Sequence, residues 1–261
     1  MKPLSKIIFY PVKAFGGQSV ESCEIENNRI KYDRIFGFRF AKADEFLDYK
    51  WKNKHNFVTL SNTPGLAKYN SLWDPKKRVL EIISNGRTIG SIVVDKNRKQ
   101  FEKKITNLIS KMPVNPKTIT QPEGTVKLVG DGRENFFQDS ELGQITMHGL
   151  SSVRAIESRC DREVSSRRFR SNLIIDGLSE WEEFGLVGEK INIGECQFLV
   201  KKTLTRCIAT HVNPINAERD LEVMNLLPEL NGVPEPSFGV ALEYTGVGNG
   251  LLNVGDLLLT G

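Results

Sequence analysis

The chain has 261 residues, 39% of them hydrophobic and 26% charged, with a formal net charge of +4. This ordinary globular composition excludes a disordered chain, a collagen and a disulfide scaffold, and leaves length for one large domain or two small ones. The apolar run over 7–12 falls far short of the about 20 residues of a membrane span, and 1–15 carries no secretory signal pattern, so a cytoplasmic protein with no membrane and no nucleic-acid partner is expected.

Short runs rich in Ile, Val, Phe or Thr, bounded by Gly, Asn, Asp or Pro, predict strands over 6–10, 19–26, 35–41, 57–60, 78–83 and 88–94. Then the apolar spacing changes: Phe101, Ile105, Leu108, Ile109 and Met112 form one stripe, which predicts a helix over 97–112. The stretch 112–124 holds three prolines, and the domain boundary is placed there, giving units 1–120 and 121–261. Beyond it a strand over 125–129, a polar loop over 130–144 and a helix over 153–162 are expected. Strands follow over 172–175, 190–203, 207–212, 238–244 and 257–260, with short helices around 180–184 and 221–227. Strand content is too high, and strand-helix alternation too poor, for a doubly wound sheet. A mainly β, barrel-like α+β architecture with helical decoration is the expectation.

No nucleotide-binding glycine loop, no H-E-x-x-H and no G-x-S-x-G is present, so those chemistries have no support. None of Cys23, Cys160, Cys196 and Cys207 forms a C-x-x-C pair, which argues against structural zinc, a thioredoxin motif and an iron–sulfur cluster. Cys207 differs from the other three. It follows Lys201, Lys202 and Arg206, and positive charge favours the thiolate that acts as nucleophile or soft metal ligand. If 207–212 is a strand, His211 points the same way as Cys207, which leaves a Cys–His pair open beside a histidine that merely fills a strand end. The run 154–170 holds six arginines against three acids and reads either as a solvated face or as an anion site. Lys13 lies beside Gly16 and Gly17, where an ammonium and backbone N–H groups can meet a phosphate, and Arg34 and Arg170 can add planar forks to the same anion. Taken singly, each of these is also a surface cation with an acidic neighbour.

Tyr10-Pro11-Val12-Lys13, Asp33-Arg34, Phe57-Val58-Thr59 with Pro64 and Leu66, Arg168-Phe169-Arg170-Ser171-Asn172-Leu173, Thr205-Arg206-Cys207 and Val254-Gly255-Asp256 stand in that order. The ordered set resembles the MOSC-domain proteins, relatives of the molybdenum cofactor sulfurase C-terminal domain and of the amidoxime-reducing component. The resemblance implies a β-rich N-terminal MOSC barrel domain followed by the MOSC domain itself. It further implies a molybdenum-molybdopterin cofactor, with Cys207 as catalytic thiolate and metal ligand. Lys13 and Arg34 would hold the pterin phosphate, and Arg170, Asn172, Thr205 and Arg206 would line the cofactor. Such a centre moves an oxygen atom and two electrons, and in the amidoxime-reducing branch it reduces N-hydroxylated small molecules.

Some positions depart from the family pattern. Ala14 stands for a serine after Y-P-V-K, Ser61 for an arginine, Asn213 for an acid and Asn216-Ala217 for T-G. The sequence carries no cysteine-rich ferredoxin extension, so a separate ferredoxin- or flavin-type reductase is the expected electron donor. Two other functions fit the same residues. In one, Cys207 is a sulfur carrier that accepts persulfide sulfur from a pyridoxal-phosphate-dependent cysteine desulfurase. In the other, the chain is a binding module that keeps the anion pocket without redox activity.

Overall fold

Strands form where β-branched and aromatic residues alternate between turn residues, and in this computed structural model they account for most of the regular structure. The structure describes residues 1–41, 45–96, 98–113 and 125–260. The first half comprises β1 (Leu4–Phe9), β2 (Gln18–Val20), β3 (Ser22–Glu26), β4 (Arg29–Ile30), β5 (Gly37–Ala41), β6 (Asn70–Asp74), β7 (Val79–Ser84), β8 (Arg87–Val93), α1 (Lys99–Ile109) and β9 (Thr125–Val129). The second comprises β10 (Ile145–Gly149), α2 (Leu150–Cys160), β11 (Leu173–Ile175), α3 (Glu182–Gly185), β12 (Lys190–Ile193), β13 (Cys196–Thr205), α4 (Val223–Asn231), β14 (Ser237–Tyr244), β15 (Gly250–Asn253) and β16 (Leu258–Thr260). The architecture is mainly β with few helices, as the sequence predicts. Among the described residues, no helix is long and apolar enough to cross a membrane.

One eight-stranded sheet runs β16-β12-β13-β14-β10-β11-β1-β2. All its pairings are antiparallel except β10 with β11. Its far sides are joined by an antiparallel bridge from Pro3 to Leu257, not by a strand ladder. Leu4 N donates to Asp256 O and Leu258 N to Lys2 O, each at 2.8 Å. Leu4, Ile7, Phe9, Met147, Leu173, Phe198 and Val240 belong to the core of this sheet. A second core gathers Val12, Phe15, Phe36, Phe38, Leu66, Trp73 and the α1 residues Phe101, Ile105 and Ile109 under β5–β9 and β6-β7-β8. Sheet pairing therefore crosses the boundary expected near residue 120, since β1 and β2 join strands from beyond residue 144 and β5 pairs with β9. The boundary stretch itself, from residue 114 to 124, lies outside the described residues.

Two predicted strands are not strands. Residues 57–60 lead into a turn in which Asn62 Oδ1 accepts from Thr59 N at 2.8 Å, and Asn62 Nδ2 donates to Phe57 O at 3.1 Å. Such an Asx turn competes with a ladder for the same backbone groups. Residues Ile208–His211 form a 3-10 turn with Cys207 at its start, where Thr210 N and Oγ1 both donate to Cys207 O at 3.0 Å. The run 190–203 is a hairpin, because Gly194 takes φ +57° and turns β12 into β13. Strand β10, buried along its whole length, has no alternation to announce it. That is the pattern of a central strand covered on both faces.

Candidate functional site

Asp33 organises the site. Its carboxylate is fully buried and accepts from Tyr10 N at 2.8 Å, Gln138 Nε2 at 2.7 Å, Asn172 Nδ2 at 3.2 Å and Arg34 Nη1. A buried carboxylate persists only with such compensation, and here it pins together β1, the turn after β4, the 130–144 loop and the approach to β11. The sequence pattern marked Asp33 as a motif residue without giving it this role. A residue held by three distant segments has no local signal.

The cations converge around Tyr10. The guanidinium carbons of Arg34 and Arg170 lie 4.5 and 4.3 Å from the Tyr10 ring centroid, a cation–π stack that leaves the fork edges accessible to hydrogen bonding. Arg34 Nη2 donates to Arg170 O at 3.0 Å, and Arg170 Nη1 to Phe15 O at 2.6 Å. Burial, reinforced by the Arg34 charge, pulls Arg170 down to about 10. Lys13, only 7% exposed, donates to Phe137 O at 2.8 Å and pairs with Asp139. Burial lowers the Lys13 pKa, an effect that Asp139 opposes and that Arg34 and Arg170 add to. Ala14, Arg34 and Arg170 all adopt left-handed backbone, with φ of +74°, +52° and +54°. Non-glycine residues avoid that region, and such strain clusters at ligand sites.

Arg206 and Cys207 close the far side. Arg206 Nε donates to Phe238 O at 2.8 Å and Nη1 to Phe169 O at 3.1 Å, over the stacked Phe169–Phe238 pair. Desolvation first, with a smaller like-charge contribution from Arg34, lowers it to about 10 against the opposing effect of Cys207. The Cys207 thiol is half-buried, and its sulfur lies 3.6 Å from Ser61 Oγ. All four cysteines are free. Between Tyr10, Leu60, Arg170, Ala209 and Val212 runs a crevice of about 20 Å³, the scale of a single water.

Three expectations need correction or refinement. Asn172, expected to line a cofactor, is fully buried in this structure. Its Nδ2 donates to Ile8 O and Asp33 Oδ1, while its Oδ1 accepts from Thr146 N and Oγ1, so its amide is engaged on both sides and positions Asp33. The His211 reading fails because 207–212 is not a strand, and the His211 ring instead accepts from Met224 N at 3.3 Å. The arginine run 154–170 disperses. Arg154 and Arg159 pair with Asp176 and Glu229 at the surface, and Arg162 and the buried Arg168 with Asp220; Arg167, which donates to Asn70, and Arg168 line the crevice, and Arg170 stacks on Tyr10. Thr205, at the end of β13, is exposed and pairs through its backbone with Ser237.

The donor set contains one thiol. Among the described residues, no group of three or more His, Cys, Asp or Glu side chains converges to hold a metal. A metal here would therefore bring most of its ligands with it, as a dithiolene cofactor does, and Cys207 would add one soft thiolate.

Comparison with known proteins finds a MOSC domain match in the second half of the chain. The MOSC domain model matches residues 137–258. Molybdenum cofactor sulfurase from Caenorhabditis briggsae is 25% identical over 122 residues, covering 46% of this chain and 16% of that protein. The enzyme of the same name from Caenorhabditis elegans is 26% identical over 128 residues, covering 48% and 17%. The match thus spans about a sixth of the length of these curated relatives. Among solved structures, YiiM from Geobacillus stearothermophilus aligns with a TM-score of 0.32 at 19% identity over 45% of this chain and 53% of that one. The YuaD protein from Bacillus subtilis aligns with a TM-score of 0.43 at 9% identity over 99% and 94%. The likeness to the MOSC family thus rests on a domain match over residues 137–258, a little under half of the chain.

Proposed function

We propose that this protein binds a molybdenum-pterin cofactor and reduces N-hydroxylated small molecules, with electrons from a separate ferredoxin- or flavin-type reductase. The observation that carries the reading is a single half-buried thiol, Cys207, beside a cluster of Lys13, Arg34, Arg170 and Arg206 drawn from four distant segments. When bound, the cofactor supplies oxygen-atom transfer and two-electron chemistry. Cys207 contributes the soft ligand, with the Arg206 side chain next to it in the chain. Lys13, Arg34 and Arg170 hold the anionic end, since Arg34 and Arg170 keep N–H groups beyond those engaged with Asp33, Arg170 O and Phe15 O. Because the crevice is narrow, binding on this reading moves its walls. Expression in a host that makes the cofactor, followed by elemental analysis, tests it. Purified wild type should retain molybdenum and Cys207→Ser should lose it, whereas metal-free wild type overturns the proposal.

A second reading has support in the Ser61 hydroxyl beside Cys207 Sγ and in the name of the curated relatives. Here the Cys207 thiolate takes a sulfane sulfur from a desulfurase persulfide, and the donor leaves as its thiolate. A one-sulfur mass increase on Cys207 after incubation with a pyridoxal-phosphate-dependent cysteine desulfurase and cysteine is the expected result, and its absence removes this reading.

A further inference from the structure

The 130–144 loop is anchored in the site it borders. Gly130 starts it at φ +105°, where a Cβ would lie 2.1 Å from Ile35 O, so only glycine allows the departure from β9. Phe137, fully buried, packs on Phe57 with ring centroids 5.3 Å apart, and its N donates to Arg34 O at 2.7 Å. Gln138 donates to Asp33 and to Gln144 O, and accepts from Gln144 N. The next residue, Asp139, points its carboxylate to the Lys13 ammonium although its side chain is 68% exposed.

We infer that Asp139 is a built-in competitor for the anion site, a carboxylate that an incoming phosphate must displace from Lys13. The inference rests on the reading of Lys13, Arg34 and Arg170 as an anion site. An ammonium neutralised by one carboxylate attracts a second anion weakly, and the two anions repel each other at close range. Exchange for another carboxylate gains nothing. A phosphate dianion brings more charge and more acceptor oxygens, and can use the arginine forks as well as Lys13. The displaced Asp139 is already mostly in water, so its release leaves no buried charge behind. Lys13 holds the Asp139 carboxyl below the usual range against an opposing desolvation, and Arg34 and Lys54 add to that effect, as a counter-ion seated among cations should behave. The site thereby favours phosphate monoesters over carboxylate metabolites.

Calorimetric titration of the full chain with inorganic phosphate, and separately with acetate, at a pH where phosphate is the dianion tests this. Asp139→Asn keeps the acceptor and removes the charge. It should bind phosphate about tenfold tighter than wild type and lose part of the preference for phosphate over acetate, and Asp139→Ser should behave alike. Lys13→Ala should weaken phosphate binding in both backgrounds. If phosphate binding depends on Lys13 but Asp139→Asn binds no tighter, the competitor role is overturned and the anion site stands. If neither wild type nor Asp139→Asn binds phosphate, both fall.

Discussion

Two groups of cations invite comparison. The run 154–170 is dense in sequence, yet most of its arginines are taken up by acids elsewhere: Arg154 by Asp176 at 3.8 Å, Arg159 by Glu229 at 3.3 Å, and Arg162 and the buried Arg168 by Asp220. Lys13, Arg34 and Arg170 are up to 157 positions apart in number, yet Arg34 and Arg170 stack on one tyrosine and Lys13 lies near enough to feel both charges. Part of the first case is explained by α2, which carries Arg154 and Arg159, while Arg162, Arg167, Arg168 and Arg170 follow it in turns that face other ways. Sheet pairing explains the second, because β1 lies beside β11 and delivers both ends of the chain's motifs to one place. Charge density along a chain is therefore a poor guide to charge density in space.

The contrast sharpens into measurable differences. Asp33→Ala strips the carboxylate from the converging group, leaving the Arg34 charge and the amides of Tyr10, Gln138 and Asn172 without their acceptor. Denaturant unfolding should show a loss of about 3–5 kcal/mol, and a loss comparable to a surface substitution would break the comparison. A smaller effect belongs to His148, fully buried beside Arg206 with no hydrogen-bond partner for either ring nitrogen among the described residues. Burial, with the Arg206 charge second, pushes it down to about 3. The unfolded imidazole takes up its proton below about pH 6.5 and the folded one only near pH 3, so between these values the unfolded chain binds more protons and stability falls as pH falls. At pH 5 the loss should be about 2 kcal/mol, and His148→Phe should flatten this dependence. An unchanged pH profile in that variant would show that other groups govern it. Last, Arg159→Ala, taken from the dispersed run, should alter stability by less than about 0.5 kcal/mol.

The sequence made the outline of the fold legible where a single face is buried. The stripe Phe101, Ile105 and Ile109 gave α1, and the short runs rich in Ile, Val and Thr between turn residues gave β7 and β8. It was silent at β10, since Ile145-Thr146-Met147-His148-Gly149 is covered on every side and needs no period. It misled at Cys207, where a β-rich composition gave way to a 3-10 turn that Thr210 closes with two hydrogen bonds. The site divided in the same manner. Cations and the thiol carry their chemistry in the letter, so Lys13, Arg34, Arg170 and Cys207 could be singled out. Asn172 has cofactor-binding chemistry in its letter too, and only its surroundings reveal that its amide is engaged internally. Asp139 and Gln138 matter solely through where the 130–144 loop puts them.

The bridge from Pro3 to Leu257 has a consequence for synthesis. Strand β1 leaves the ribosome well before β11, with Leu4, Ile7, Ile8 and Phe9 all destined for burial. Its hairpin with β2 covers one edge, but the other edge waits for β11, which at about 5–20 residues per second emerges roughly 10–30 s later. The final bridge waits longer still. For that interval the nascent chain displays an apolar, unpaired strand edge, and its yield in a cell depends on what shields that edge until translation has reached residue 257.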